Sequence, residues 1–296
     1  MRKWWKVLLL STFGLVLLGE LVLRFWGLRD HPLYATDTRY EYMTLPDQDV
    51  HYGRVHFRTN ELGLRSAPIR KKRGKRVLVI GDSVVNGGLQ TTQDSLATAL
   101  AQQRTGFELI NLSAASWGPD NAMAFLRTHG TFEADAIILV FSSHDAYDRM
   151  TFTPIVGVHP SYPDHRPLFA WSIVMDRLLY RAGRGYRPPA ERGAFVDGWK
   201  ALRDTTASLR IPLVVLLHPE SGELTMGHYD DRGQRILDSL HAWHVPVIEL
   251  LDGSDPSLYT DRIHLGNAGH QRLAEVLSSV LYATTDTFAR APTTPP

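Results

Sequence analysis

From Arg76 onward the chain alternates between two hydrophobic periods, and that alternation limits its fold more than any other feature. Apolar runs of strand length occur at Val77–Ile80, Phe107–Leu112, Ala136–Phe141, Pro212–Leu217 and Val245–Leu250. Between them lie helical patterns at Gln93–Arg104, Asn121–His129, Leu168–Ala182, Ala190–Ser208 and Tyr229–Trp243, and Ala268–Tyr282 closes the series. Strand and helix in repeated alternation predict an α/β unit, a parallel sheet covered by helices on both faces. Such a sheet binds ligands at the carboxyl ends of its strands, beside the switch in strand order. The excursion from Met150 to Gly193, with Pro160, Pro163, Pro167, Pro188 and Pro189, interrupts the rhythm after the third strand and is expected to form part of a substrate wall.

The segment ahead of this unit has a different character. Met1-Arg2-Lys3-Trp4-Trp5-Lys6 is basic and aromatic, Val7 to Gly19 carries no charge, and apolar residues resume around Glu20 and Arg24 as far as Leu28. No small-residue cleavage site follows, so residues 1–28 are expected to be an uncleaved signal anchor or transmembrane helix. Trp4 to Leu28 is long enough to cross a hydrocarbon core of about 30 Å, with Glu20 and Arg24 snorkelling at one end. The positive-inside rule then places the N-terminus in the cytoplasm and the remainder outside, periplasmic or at the cell surface. The charges at 20 and 24 keep an amphipathic helix lying in the interface as the alternative. Residues 29–75 are expected to be a linker with a short hairpin, Val55–Thr59 and Leu64–Ser66 around Asn60–Gly63, ending in the basic run Arg70–Arg76. Residues 76–283 are expected to form the α/β domain, and 284–296, rich in Thr and Pro without an apolar period, are expected to be disordered.

Composition removes several functions. The absence of cysteine excludes disulfides, thiolate nucleophiles and Cys-ligated zinc, and a net charge of +1 does not call for a nucleic-acid partner. Directly after the first strand, Gly81-Asp82-Ser83 sets a hydroxyl at a strand-to-helix turn, and Gly87-Gly88 follow. The segment has neither the Lys-Ser/Thr of a P-loop, nor G-x-G-x-x-G, nor G-x-S-x-G. Taken alone, an Asp-Ser there also serves as a helix N-cap. Near the other end, Asp261 precedes His264 by three residues, a spacing at which a carboxylate can orient an imidazole. A serine hydroxyl needs such an imidazole to take its proton, although Asp-x-x-His also occurs as a plain capping turn. His241, His244, His218, Glu220 and Glu223 make no convincing zinc triad. Trp117, Tyr147 and Trp171 are candidates for a sugar-stacking wall or for the core.

Together these blocks resemble the SGNH/GDSL hydrolase family over roughly Arg76 to Tyr282. The resemblance implies a three-layer α/β/α, flavodoxin-like fold with no metal or organic cofactor. It implies Ser83 as nucleophile and oxyanion-hole amide, His264 as proton shuttle and Asp261 as its orienting carboxylate. Two middle blocks depart from the family pattern. By spacing from Asn111, the family's oxyanion glycine falls on Ser116, with Gly118 the other candidate. In Ser142-Ser143-His144-Asp145, His144 stands where the family's Asn side chain donates. The expected activity is a membrane-anchored, outward-facing serine esterase that hydrolyses or transfers O-acyl groups, first of all O-acetyl on a polysaccharide. The alternatives are a lipid or lysophospholipid esterase and a non-catalytic accessory protein of surface-polysaccharide assembly that keeps the fold.

Overall fold

A computed structural model describes residues 2–185 and 194–288. The chain opens with α1 (Arg2–Phe25), followed by two antiparallel pairs, β1 (Tyr34–Asp37) with β2 (Glu41–Thr44) and β3 (Asp49–Tyr52) with β4 (Val55–Arg58). Then come β5 (Arg76–Gly81), α2 (Ser83–Asn86), α3 (Ala97–Thr105), β6 (Glu108–Ser113), α4 (Pro119–His129) and β7 (Ala136–Ser142). The second half contains α5 (Ala170–Arg181), α6 (Asp197–Leu209), β8 (Leu213–His218), α7 (Ser221–Met226), α8 (Asp231–Ala242), β9 (Val247–Glu249) and α9 (Asn267–Phe288).

The sheet is five-stranded and parallel, in the order β6-β5-β7-β8-β9. Counted from β5, that is 2-1-3-4-5, the flavodoxin-like order, with its switch point beside β5. Every residue of β5 and β7 is buried, which is why both read as unbroken apolar runs. Period two divides them: Leu78, Ile80, Ile137 and Leu139 pack toward α4, α6 and α8, whereas Val77, Val79 and Ile138 pack toward α3 and α9. The three layers follow from this division.

Several boundaries differ from expectation. The fifth strand contracts to Val247–Glu249 because it is an edge paired only with β8 and half out of the core. The expected helix over 93–104 is broken at Leu96, whose extended backbone separates a 3-10 turn at Gln93–Ser95 from α3. Part of the helix expected from Ala190 lies outside the described residues, and α6 starts at Asp197. At the C-terminus α9 continues through Phe288 into the stretch expected to be disordered, and 289–296 lie outside the described residues.

The larger correction concerns residues 29–75, which are not a linker. Tyr34, Tyr40, Tyr42, Met43 and Leu64 belong to the main core with Trp117 and Phe125. The Asn60–Leu64 turn exists, closed by Asn60 N–H to the Leu64 carbonyl at 2.9 Å, but Val55–Arg58 pairs backward with β3 instead of forward with residues 64–66. Arg65 explains the difference. It is fully buried, stacks on Phe57, and donates to the carbonyls of Asn86, Gly88 and Thr91 at 2.6–2.8 Å. Burial lowers its pKa to about 9. Most of the basic run is exposed, while Arg76 is buried on Glu108 and Lys72 pairs with Asp135.

α1 is exposed along most of its length, and Lys3–Phe25 is long and apolar enough to cross a membrane. Its 23 residues extend about 34 Å at 1.5 Å per residue.

Arg65→Met is expected to lower unfolding free energy on the order of 3 kcal/mol, because buried carbonyls lose their donor. Arg65→Lys is expected to restore little, since one ammonium cannot span acceptors placed for a guanidinium fork. Thermal unfolding of the three proteins in the same detergent checks this.

Candidate active site

The site begins where β5 ends. A Cβ at Gly81 would meet the Val140 carbonyl at 2.5 Å and Val85 at 2.4 Å, so only glycine allows the chain to turn there between β7 and α2. Asp82 caps the following turn by accepting from Val84 N–H at 2.8 Å. Ser83 therefore leaves the sheet at its carboxyl edge, with its hydroxyl in an open cleft. Asn111 on β6 holds α2 in place by donating to the Val85 carbonyl, and Asn86 donates back to the carbonyl of Ser113.

His264 comes from the loop ahead of α9. Its Nε2 lies 2.9 Å from Ser83 Oγ, and its Nδ1 lies 2.7 Å from Asp261 Oδ2. The other Asp261 oxygen accepts from the backbone N–H groups of Ile263 and His264, each at 2.9 Å. Burial raises the Asp261 pKa, but these N–H groups and the imidazole outweigh it and leave the pKa lowered. An ionised Asp261 fixes the proton on Nδ1 and leaves Nε2 free to accept from Ser83. The structure thus brings together Ser83, Asp261 and His264 from distant parts of the chain.

The second-strand loop faces the same cleft. Ser116 has φ +53°, and Tyr162 donates to its hydroxyl at 2.8 Å. Tyr42 lies within reach of the carbonyls of Ala115 and Ser116 at 2.9 and 3.1 Å. Among the described residues, the amides of Ser83 and Ser116 have no acceptor. Gly118 does not share this position: its amide donates to Asn121 Oδ1 at 3.0 Å as the start of α4. It is thereby removed from the candidate oxyanion donors.

His144 also stands elsewhere than expected. Its Nε2 faces Asp82 at 3.5 Å and Asp145 at 3.9 Å, and its Nδ1 faces Glu220 at 3.4 Å. It is absent from the residues lining the cleft that holds Ser83, Ser116 and His264. Both ring nitrogens face carboxylates and not the cleft, at 3.4–3.9 Å, an arrangement that favours the protonated imidazole and differs from that of the expected oxyanion donor. Burial disfavours that charge, but Asp145, Asp82 and Glu220 overcome it and raise the pKa well above the ordinary value. Asp82, His144 and Asp145 are also near enough together to hold a metal ion, as are the more exposed Asp49, His51 and His56. In the first group a protonated imidazole would itself supply positive charge to the carboxylates.

The cleft has a volume of about 540 Å³, and its walls include Tyr34, Tyr52, Phe57, Gln90, His159 and Arg177. Part of the Met150–Gly193 excursion forms one side, through Ile155, His159, Ser161 and Tyr162. Of the two readings for Trp117, Tyr147 and Trp171, a sugar-stacking wall or the core, the core holds for the first two and the wall does not form. Trp117 is buried and donates to the Tyr42 carbonyl, Tyr147 packs on the core, and Trp171 lies against α1. His241 and His244 are exposed surface residues.

His218 is a positioning residue that its sequence context does not reveal. Stacked on Tyr259, it places Nε2 3.0 Å from the Ile263 carbonyl and so supports the backbone that carries His264. Burial lowers its pKa to about 4, which keeps it neutral and able to donate from Nε2. Glu220 is a second such residue, joining His144 to Arg232 at 3.0 Å.

No family model and no curated protein matches this chain. Among solved structures it is similar to TesA, at 14% identity and TM-score 0.45, over 70% of this chain and 98% of that one. It is similar to a two-domain esterase active on acetylated mannans, at 12% identity and TM-score 0.45, over 75% of this chain and 52% of the other. It is also similar to a carbohydrate esterase with a carbohydrate binding domain from Corynascus thermopiles, at 14% identity and TM-score 0.42, over 74% and 69%. At these identities the chemistry of this chain rests on its own residues.

The histidines generate a pH dependence with two limbs. Burial lowers the pKa of His31 to about 3, of His218 to about 4 and of His270 to about 3. Below about pH 6.5 the unfolded chain takes up protons that these folded residues refuse, so stability falls toward pH 4. His144 acts oppositely. Its contribution is complete below about pH 6.5 and is lost as pH rises through its raised folded pKa. Tm is expected to peak near pH 6.5, and His144→Gln should remove the alkaline decline while leaving the acid limb. Superimposable alkaline limbs in the two proteins would contradict the buried cation.

Proposed function

We propose that this protein is a serine esterase of the SGNH/GDSL type, anchored in a membrane by α1 with residues beyond Arg29 on the outer side. The observation that carries the activity is the continuous contact from Asp261 through His264 to Ser83, at 2.7 and 2.9 Å, between residues 181 positions apart. No packing requirement of the core calls for a serine hydroxyl pointing into a cleft toward an oriented imidazole.

In the proposed reaction, Ser83 Oγ attacks the ester carbonyl as its proton passes to His264 Nε2. Asp261 stabilises the imidazolium that results. The free amides of Ser83 and Ser116 receive the oxyanion, a role that needs preorganised donors and no side-chain charge. His264 then protonates the departing alkoxide, and the acyl group on Ser83 passes to water or to a second hydroxyl activated by the same imidazole.

The favoured substrate is an O-acetylated polysaccharide. Gln90, His159, Ser161 and Arg177 offer hydrogen-bonding groups, and the tyrosines offer ring faces, a combination suited to a sugar. A lipid or lysophospholipid ester is the second reading, supported by Phe57, Leu89 and Ile155 in the same walls and by the apolar α1.

Ser83→Ala is expected to reduce turnover of p-nitrophenyl acetate by at least about a thousandfold with an unchanged circular dichroism spectrum. Near-normal kcat in the folded variant would show that the nucleophile is a different residue. Acetate release from acetylated polysaccharide, set against fatty-acid release from lysophospholipid, separates the two substrate readings.

The anchor generates its own expectation: the full chain should remain with membranes through carbonate extraction. A reporter fused after Pro296 should be active only outside the cytoplasm. Release by carbonate would instead support an interfacial helix.

A further inference from the structure

α5 carries an apolar face that the rest of the protein leaves uncovered. Trp171, Met175 and Leu178 recur at helical spacing along one side, and Leu168 and Phe169 extend that side beyond the helix start. Leu168 is 72% exposed, Met175 50% and Leu178 52%. Single exposed apolar residues are ordinary on a protein surface, but a continuous stripe is not.

The stripe is joined to α1. Both Glu20 carboxylate oxygens accept from the first turn of α5, from Ala170 N–H at 2.9 Å and Trp171 N–H at 3.2 Å. Arg24, paired with Glu20 at 2.6 Å, donates to the Leu168 carbonyl at 2.7 Å. The Trp171 indole donates to the Val16 carbonyl at 3.0 Å and rests on Gly19, where a Cβ would lie 2.3 Å from the ring. Glu20 and Arg24, expected to snorkel toward water, are therefore satisfied by the start of α5. Glu20 is five residues from Phe25, about 7 Å along the helix axis, so α5 begins level with the last turns of α1.

We propose that the Leu168–Leu178 face of α5 lies in the outer interface of the lipid bilayer that α1 crosses, as an in-plane second membrane contact. The inference rests on the anchoring reading of α1. The occupant is lipid because the stripe continues the surface of an apolar helix to which it is hydrogen-bonded, at the level where that helix leaves the hydrocarbon. The consequence concerns the active site. Arg177, the neighbour of Leu178, donates to Tyr52 at 2.6 Å and lines the cleft that contains Ser83. The helix resting on lipid is thus also a wall of the cleft, which holds that side of the site at the headgroup layer and selects for esters presented there.

Because the chain has no cysteine, each of Leu15→Cys, Met175→Cys, Asp176→Cys and Leu178→Cys provides one thiol for a nitroxide label. The full chain would be placed in nanodiscs of phosphatidylethanolamine and phosphatidylglycerol, and collision with oxygen and with a water-soluble nickel chelate measured. Labels at Met175 and Leu178 are expected about 5–10 Å below the phosphates, with Leu15 deeper and Asp176, on another face of α5, aqueous. Aqueous labels at both 175 and 178, with Leu15 in hydrocarbon, would overturn the α5 contact and leave the anchor intact. An aqueous Leu15 would overturn the anchor and the inference with it. Exclusion of both reagents at 175 and 178, accompanied by spin-spin broadening between copies, would assign the face to a second copy and overturn the lipid contact.

Discussion

Gly81 pairs with Ser113 on one side and Val140 on the other, and the position of every candidate reacting group depends on that register. The central strand has no freedom to slide, because a one-residue slip would exchange its two buried faces and turn Leu78 and Ile80 into the layer packed for Val77 and Val79, and the reverse. Its end is therefore a stationary platform. Ser83 follows two residues later, the Ser116 loop departs from the neighbouring strand, and the carboxylates Asp82, Asp145 and Glu220 follow the ends of β5, β7 and β8. The loop bearing His264 reaches the same edge from beyond the sheet, supported by His218 at the end of β8.

Beneath that edge the protein buries charge in a balanced form. Asp82 and Asp145 are fully buried, Glu220 nearly so, and His144 lies among them. Carboxylates in such a setting would be costly without a cation, and replacing them by apolar groups would lose the cap on the nucleophile turn. The imidazole provides the charge within the layer, and Arg232 and Arg262 provide it from the solvent side of Glu220. The His144 position can then act on the site through Asp82 without facing the substrate.

The segment before the sheet has a bracing function. Arg65 draws together the carbonyls that follow α2, while Tyr42 reaches the carbonyls of the Ser116 turn and is joined there by Tyr162 from the segment after β7. Flexible groups at an oxyanion site would forfeit much of their value, since the benefit comes from donors already aimed before reaction. The lead-in adds to that rigidity and also connects the candidate cleft to α1 and α5.

The parallel sheet, the positions of its first four strands and the three candidate residues Ser83, Asp261 and His264 were legible in the sequence, because each rests on a local pattern: buried runs, a strand-to-helix turn and a three-residue Asp–His spacing. The apolar N-terminal helix was legible for the same reason. The path of residues 29–75 was not, since its tyrosines are spaced without period and Arg65 reads as a surface residue until its carbonyl partners are brought around it from a different part of the chain. The place of His144 was also undecided. A histidine at that position could donate into the cleft or turn beneath it, and only the approach of Glu220 and Asp82 from other strands directs both nitrogens away from Ser83. The sequence by itself determined where the buried strands and covering helices fall and which side chains are candidates for the chemistry, through short-range periodicity and spacing, while the strand order was only what the family resemblance implied. The tertiary structure alone decided which amides stay free, which charges neutralise one another and which face of α5 remains bare, because those depend on contacts between residues that the chain keeps far apart.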